Sequence, residues 1–215
     1  MTSRLLALTV LAADPAGADR FWRALLGPDP APFDLVFVPS EEPVRLPAQI
    51  HLHLSSNGAT QAETVARALA LGARRLDVGQ LPDEDHVVLA DPEGNAFCVI
   101  PEGNRWLAGT PFLGELACDG TREVGVFWSE ALGRPLVHDE DGETAIRLDD
   151  GPIIAWGGPP LDERRGRNRM HVMLAADDLE TEVARLAGLG ATIVARTARE
   201  VEMADPDGNE FRVRG

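Results

Sequence analysis

Three histidines and one glutamate lie on predicted strands at spacings that could support ligand or metal binding. His51 and His53 belong to the run Gln49–Leu54, and alternation along a strand places both side chains on one face. Glu115 lies inside another predicted strand, and His171 begins a third. Imidazole and carboxylate groups suit divalent transition metals in open sites, and they also hydrogen-bond polar ligands. The candidate chemistry is therefore small-molecule binding or metal-assisted catalysis.

No other catalytic pattern stands out in the sequence. It has no Gly-rich phosphate loop, no nucleophile elbow, and no Ser/His/Asp or Cys/His arrangement. The two cysteines, Cys98 and Cys118, lack metal-type spacing. Two cysteines fit a reducing compartment better than a disulfide scaffold, so we expect a cytoplasmic protein.

Composition excludes several classes of partner. The chain has 215 residues, 44% of them apolar, and a net charge of −15. An acidic surface argues against nucleic acid and against an anionic membrane, since both attract basic proteins. No apolar run reaches the length of a membrane span, and the N-terminal apolar run is predicted to be a strand rather than a signal peptide. The predicted partner is a small molecule.

The chain repeats itself. Three motifs occur twice in the same order, which indicates a duplicated unit of roughly 105–110 residues. The matching pairs are Phe21–Gly27 with Phe127–Gly133, Ala66–Ala73 with Ala184–Ala191, and Ala90–Phe97 with Ala204–Phe211. We therefore predict two domains, 1–104 and 112–215, joined by a Pro- and Gly-rich linker.

Each half divides again into two modules of the order βαβββ. Asp14 and Pro15 mark one helix start, Gly27 ends that helix, and Thr60 with Glu63 forms a capping-box pattern. The predicted strands are 5–11, 34–38, 49–54, 74–78, 86–89, 96–100, 113–118, 136–139, 144–148, 153–156, 171–175, 192–195, 200–204 and 210–213. The first module is predicted to be degenerate, because too few residues separate its helix from the next module.

These features resemble the vicinal oxygen chelate superfamily, which includes glyoxalases, bleomycin resistance proteins and extradiol dioxygenases. The resemblance is carried by the Asp-Pro-Glu-Gly-Asn turn at 91–95, its copy at 205–209, and the Phe-Trp-x-x-x-Leu-Gly helix ends. It implies an α+β fold in which four βαβββ modules pair into two glyoxalase-like domains with cup-shaped, strongly curved mixed sheets. We expect modules one and two to form one cup, and modules three and four the other.

The resemblance also implies where a metal would bind. Metal-using relatives place a His at the start of a module's first strand and a Glu on its last strand. His51 and His171 match the first position, but Cys98 and Arg212 occupy the second. We therefore expect no resident metal. The alternative is Zn, Ni, Fe or Mn bound in one of the cups, held either by His51 with His53 or by His171 with Glu115.

Seven residues are predicted to line the cups and bind the ligand: His51, His53, Glu115, Trp156, His171, Met173 and Arg212. Some of these residues also have a purely structural interpretation. Glu115 and Arg212 could pair with each other across the second cup, and Cys98 could pack as a small apolar residue. The arginine-rich stretch 164–169 is either paired with acidic groups or an anion-binding lip.

Three functions remain open at this stage. The first is a small-molecule-binding protein without the full metal-ligand set, acting mostly through the second cup. The second is a divalent-metal-dependent lyase, epimerase or dioxygenase. The third is a degenerate structural or interaction module whose cups have filled with side chains. The chain could be a monomer, since duplication supplies both halves of a cup, or a homodimer.

Overall fold

The computed structural model describes residues 3–28, 31, 33–149 and 151–215. Module one contains β1 (Arg4–Ala12), α1 (Pro15–Leu26) and β2 (Asp34–Pro39). Module two contains β3 (Ile50–Leu54), α2 (Gln61–Ala70), β4 (Arg74–Arg75), β5 (Val87–Ala90) and β6 (Ala96–Val99). Module three contains β7 (Leu113–Cys118), α3 (Arg122–Leu132), β8 (Leu136–Glu140), β9 (Glu143–Arg147) and β10 (Ile153–Trp156). Module four contains β11 (Met170–Ala175), α4 (Leu179–Gly188), β12 (Thr192–Arg196), β13 (Glu200–Ala204) and β14 (Glu210–Arg214).

Local sequence signals position the helices. The Asp14 side chain accepts a hydrogen bond from the backbone N–H of Gly17, which satisfies a free donor at the start of α1. Thr60 and Glu63 form both bonds of a capping box before α2. Gly27 ends α1 with φ of +82°, a conformation that glycine adopts without steric cost. Secondary structure therefore agrees with the sequence prediction, apart from β4, which is only two residues long.

The fourteen strands of the described residues form two open, mixed sheets. The β3/β7 sheet has eight strands in the order β4-β5-β6-β3-β7-β10-β9-β8. The β1/β11 sheet has six, in the order β12-β13-β14-β11-β1-β2. Each sheet joins two modules through antiparallel pairing of their first strands, β3 with β7 and β1 with β11. This confirms an α+β fold of four modules with curved sheets.

The expected pairing of modules is wrong. Modules two and three share the β3/β7 sheet, and modules four and one share the β1/β11 sheet. Modules of the same half pack through their cores instead. In the first half, the Trp22 indole of α1 donates to the Asp91 carboxylate at 3.0 Å and meets the Phe97 ring of β6 edge-on. In the second half, Trp128 donates to Asp205 at 3.1 Å.

One main hydrophobic core lies between the two sheets and the helices. Apolar side chains from both sheets and all four helices form one large cluster, in which Leu8, Leu52, Leu116 and Leu174 represent the four first strands. Burying that surface is the main favourable contribution to folding. The sheet faces turned away from this cluster are the ones left to form cups, and each of them spans both halves of the chain.

The short first module contributes two strands, β1 and β2, which pair in parallel. The β1/β11 sheet consequently ends at β2, whereas the β3/β7 sheet carries four strands from each of its modules. The β1/β11 sheet is therefore two strands narrower than the β3/β7 sheet, because module one supplies two strands instead of four.

No helix of the described residues is long and apolar enough to cross a membrane.

Candidate functional site

A cavity of about 600 Å³ lies over the β3/β7 sheet. Its wall includes His51 and His53 from β3, Glu115 from β7, His138 from β8 and Trp106 from the segment between the two halves. Both halves of the chain therefore contribute to one site. Its volume falls within the range of about 300–1,000 Å³ that is typical of small-molecule pockets.

Strand register brings the polar residues of this cavity into one row. His53 lies opposite Glu115 in the antiparallel pair β3/β7. On its other side, His53 lies beside Cys98 in the parallel pair β3/β6. Side chains at neighbouring positions on one sheet face are about 5 Å apart, so Cys98, His53 and Glu115 must meet above the sheet.

A chain of hydrogen bonds runs through this row. The Glu115 carboxylate is 5% exposed and receives two donors. His53 Nδ1 lies 2.6 Å from its Oε2, and the Trp106 indole N–H donates to its Oε1 at 2.8 Å. His53 Nε2 lies 2.9 Å from Nε2 of His51. Because a carboxylate can only accept, Nδ1 of His53 carries a proton and its Nε2 faces His51.

The two histidines differ in their affinity for protons. Burial lowers the pKa of His51 to about 3, assisted by the neighbouring charge of His53. Burial also disfavours the charged form of His53, but hydrogen bonds and charges from Cys98 and Glu115 outweigh it and raise the pKa to about 9. Near neutral pH the cavity therefore holds an imidazolium–carboxylate pair beside a neutral imidazole.

Three side chains here can hold a metal ion. One ligand atom each from His51, His53 and Cys98 lies within 4.8 Å of the other two. Two imidazoles and a thiol are donors that suit borderline and soft divalent ions such as Zn, and a three-ligand set leaves a position for water or substrate. The donor chemistry therefore fits a divalent ion, although the carboxylate ligand of the relatives is replaced by Cys98.

The rest of the cavity lining is mixed. Apolar Ile100, Leu107 and Ala155 lie beside further polar residues: Asn104, Asp119, Glu143, Thr144 and Asp162. A separate cluster of buried residues, distinct from the main core, covers this face of the β3/β7 sheet: Val88, Cys98, Ile100, Leu107, Ala145 and Ile153. Ile100 and Leu107 of this cluster reach the cavity, where apolar side chains beside convergent polar groups form the usual construction of a ligand pocket. Cys98 belongs both to this cluster and to the polar row, so its packing and a ligand role are compatible.

Trp156 takes part in the site mainly as a packing residue. Its side chain is 2% exposed and belongs to the main core, and it meets the cavity at one end. Ala155, its neighbour on β10, also lines the cavity and packs against the second buried cluster rather than the main core. The alternation of the strand thus directs the smaller side chain toward the ligand space.

The remaining predicted site residues lie on the other sheet. His171 and Met173 are on β11, and Arg212 is opposite Met173 on β14. His171 is completely buried beside Thr9 of β1, and neither of its ring nitrogens has a hydrogen-bond partner. Burial lowers the pKa of His171 to about 4, assisted by the charges of nearby arginines. His171 is therefore an enclosed, neutral residue in this structure.

The expected contacts of Glu115 with Arg212 and with His171 are not formed. Glu115 is on β7, whose neighbours are β3 and β10, whereas the neighbours of β11 are β1 and β14. Arg212 instead lies 3.2 Å from Glu200 and 3.6 Å from Glu202, both on β13. The error follows from the module pairing, since it assumed that β7 and β11 share a cup.

The arginine-rich stretch is paired with acidic groups and main-chain oxygens. Arg164 forms an ion pair with Glu210 at 2.6 Å, and Arg167 forms one with Glu202 at 2.6 Å. Arg169 donates to the Asn95 side chain at 2.8 Å and to backbone oxygens. These bonds hold the stretch against the β1/β11 sheet, which favours the structural reading over an anion-binding lip.

Sequence reasoning missed Trp106 and His138. Trp106 is in the predicted linker, and its ring meets that of His138 edge-on with centroids 5.2 Å apart. A large aromatic residue inside a Pro- and Gly-rich segment is the one sequence signal that could have drawn attention to Trp106. His138 gave none, since nothing near it in the sequence indicates a ligand.

Comparisons with known proteins agree with this architecture. A family model described as glyoxalase-like domain matches residues 7–100 and 115–214. The structure is similar to glyoxalase I from Zea mays (TM-score 0.71, 14% identity, 99% of this chain and 92% of the maize chain). It is also similar to a putative dioxygenase from Bacillus subtilis (TM-score 0.65, 16% identity, 99% of this chain and 85% of the other). At these identities the likeness concerns the fold alone.

One curated protein shares part of the sequence. An ATP-dependent ribose-1-phosphate kinase from Halopiger xanaduensis is 29% identical over 153 residues, which is 71% of this chain. The matched part spans 42% of the length of that kinase.

Proposed function

The chain belongs to the glyoxalase-like domain family, and on that premise we propose that it binds a small organic molecule in the cavity over the β3/β7 sheet. The observation that carries this proposal is the cavity itself, open, about 600 Å³ in volume and built by both halves of the chain. Its apolar side chains, among them Ile100, Leu107 and Ala155, would contact the body of the ligand. His51, His53 and Glu115 would orient a polar group of the ligand by hydrogen bonds.

The proposed site lies on the β3/β7 sheet, whereas the sequence favoured the second cup. The face of the β1/β11 sheet is occupied by buried His171 and Met173 and by the Arg212 ion pairs. That sheet matches the third hypothesis, a cup filled by its own side chains. The ligand-binding role predicted for His171, Met173 and Arg212 would require this face to open.

Ligand-observed NMR with a library of small aromatic fragments tests the binding proposal. Ala155→Leu would fill part of the cavity, and Ala195→Leu on the exposed strand β12 of the other sheet is the matched control. We expect fragments to bind the unmodified protein and Ala195→Leu, and to bind Ala155→Leu at least about tenfold more weakly. Equal binding to all three proteins would place the ligand elsewhere, and no binding to any would contradict the proposal.

A second candidate function is a divalent-metal-dependent lyase, epimerase or dioxygenase. The specific observation in its favour is the group of His51, His53 and Cys98. A bound ion would act as a Lewis acid that polarises a substrate oxygen. His51, His53 and Cys98 would hold the ion, and Glu115 would orient His53. His171, the other residue predicted to be a ligand, is on the opposite sheet and would not take part.

Metal analysis separates the two candidates. The protein would be reconstituted with Zn²⁺, desalted and analysed for metal per chain, beside His51→Ala and the remote variant His171→Ala. About one ion per chain that is lost in His51→Ala and retained in His171→Ala supports the second candidate. A protein that retains no ion but still binds fragments would support binding without metal.

The organisation of the chain is also part of the proposal. We propose domain boundaries at 1–104 and 112–215, with the intervening segment contributing Trp106 to the site. Because one chain supplies both halves of the cavity, a monomer would suffice for binding, and a homodimer would have to form elsewhere. Two free cysteines, Cys98 and Cys118, favour a reducing cytoplasmic location.

A further inference from the structure

We infer that Glu115 and Trp106 are positioning residues for a metal site. The first half of the chain supplies all the ligands of this site. The site is complete only when Glu115, from the second half, and Trp106, from the joining segment, hold His53 in place. This inference rests on the second candidate function, the metal-dependent one. All three possible ligands, His51, His53 and Cys98, lie on β3 and β6. Glu115 belongs to β7 and Trp106 to the joining segment, so neither comes from the strands that supply the ligands.

Glu115 lies outside the group of side chains whose ligand atoms are close enough to share one ion, which is His51, His53 and Cys98. Its two carboxylate oxygens already receive one donor each, His53 Nδ1 at 2.6 Å and Trp106 Nε1 at 2.8 Å. At 5% exposure the carboxylate is largely shielded from bulk water, which strengthens both bonds. A buried carboxylate that is bonded in this way can orient a ligand but has no oxygen directed at the ion.

The orientation of His53 is the consequence of that bond. A carboxylate at Nδ1 keeps a proton there, so the proton that a metal ion would displace is the one on Nε2, on the side of His51. The carboxylate also makes the imidazole a stronger donor toward a metal ion. Without Glu115, the ring of His53 could rotate or adopt the other tautomer, and its Nε2 would no longer be directed at His51 and Cys98.

Trp106 extends the same arrangement by one step. Its indole is 39% exposed and yet its N–H is directed inward to Oε1 of Glu115, while its ring meets His138. An exposed tryptophan loses rotational freedom when it is held in this way. The contact therefore ties the segment between the two halves to the ligand row.

The donor set indicates the class of ion. Two imidazoles with a thiolate favour Zn²⁺, Co²⁺, Ni²⁺ or Fe²⁺ over Mg²⁺, Ca²⁺ and Mn²⁺, which prefer oxygen ligands. Co²⁺ is a useful probe for this set because its thiolate complexes give a charge-transfer band in the near ultraviolet. The band reports binding by Cys98 directly and does not depend on any enzymatic activity.

Cobalt titration of the full chain tests the inference. Co²⁺ would be added to the unmodified protein, Glu115→Gln, Trp106→Phe, Cys98→Ser and the control Glu143→Gln, and the thiolate band would be followed. Glu143 lines the same cavity, is mostly exposed, and makes no contact with His51, His53 or Cys98 in this structure. Glutamine retains the shape of the carboxylate but not its charge.

We expect Glu115→Gln to weaken Co²⁺ binding about 10- to 100-fold. Trp106→Phe should weaken Co²⁺ binding by a smaller factor, and Glu143→Gln should leave it unchanged. Both positioning variants should reach the full band at saturation, because their ligands are intact. Cys98→Ser should lose the band. A variant that simply misfolds would instead show a reduced band at saturating Co²⁺.

Two results would overturn the inference. If Glu115→Gln binds Co²⁺ as tightly as the unmodified protein, Glu115 does not position His53, although the metal site itself would stand. If the unmodified protein gives no thiolate band, the metal-dependent candidate fails together with this inference. Fragment binding to the cavity is measured independently and would still decide the first proposal.

Discussion

Replacing Asp205 with asparagine should change how the stability of the protein depends on pH. Asp205 is buried in the turn before β14 and accepts hydrogen bonds from Trp128, Asp207 and Asn209. Burial nevertheless outweighs these donors and raises the pKa of Asp205 to about 6, compared with an ordinary value of 3.8. The folded protein therefore holds the Asp205 proton over a pH range in which the unfolded chain has released it.

The sign and size of the effect follow from this difference. As pH rises from about 4 to about 6, the unfolded chain loses the proton first, so the free energy of unfolding falls. A difference of about 2.2 pKa units corresponds to about 3 kcal/mol, an upper value for a single group. Above pH 6 both states are ionised and the contribution of Asp205 is constant. Asparagine cannot ionise and would remove this contribution.

Urea denaturation between about pH 3.5 and pH 7 measures the effect. Asp205→Asn has its own cost that does not depend on pH, because its amide NH₂ replaces an acceptor of the Trp128 indole. We therefore expect the difference in unfolding free energy between Asp205→Asn and the unmodified protein to shift by about 3 kcal/mol in favour of the variant over this range. Asp177→Asn, at an exposed position, is the matched control for the change in net charge.

Parallel curves for Asp205→Asn and the unmodified protein would refute the reasoning. They would mean that the three donors around Asp205 stabilise its charge as much as burial disfavours it. The contact between Trp128 and Asp205 would then contribute to stability through an ordinary ionised carboxylate.

Three further predictions concern stability. Trp22→Phe should lower the free energy of unfolding, measured by urea denaturation, by about 1–3 kcal/mol, because buried Asp91 loses a hydrogen-bond donor. A change near zero would contradict a role for this bond in packing modules one and two. As pH falls from about 6.5 to 4, the free energy of unfolding should fall less for His171→Leu than for the unmodified protein, by up to about 3 kcal/mol. The reason is that the depressed pKa of His171 makes the unfolded chain the better proton acceptor. Identical acid limbs in denaturation curves would show that His171 is not neutral when buried. Thr60→Ala should cost about 1 kcal/mol through loss of the cap of α2, and Thr60→Ser should restore most of it in thermal melts; an equal loss in both variants would argue against capping.

Predictions from the sequence were strongest where structure depends on neighbouring residues. Helix starts at Asp14 and Thr60 were readable because a cap needs a side-chain acceptor two or three residues from a free backbone N–H. The duplicated turn motifs before β6 and β14 were readable for the same local reason. His51, His53 and Glu115 were also placed on the correct strands, and alternation correctly put the two histidines on one face.

Predictions failed where they depended on which strands pair. His171 and Glu115 were considered as partners because both are on first strands of the second half. The structure places them on different sheets, with β7 beside β3 and β11 beside β1. Both arrangements would satisfy the backbone hydrogen bonds of the same strands, so no local pattern distinguishes them.

The sequence alone determined the four-module order, the helix caps, the short first module and the face on which each polar strand residue lies, because these depend on contacts within a few residues. Only the tertiary structure decided that first strands of the two halves pair with each other. As a result, Cys98, His53 and Glu115 form one row, and His171 is enclosed on the other sheet. The physical reason is that burial of the shared core selects the strand partners. That burial is a property of the whole chain and leaves no signature at any single position.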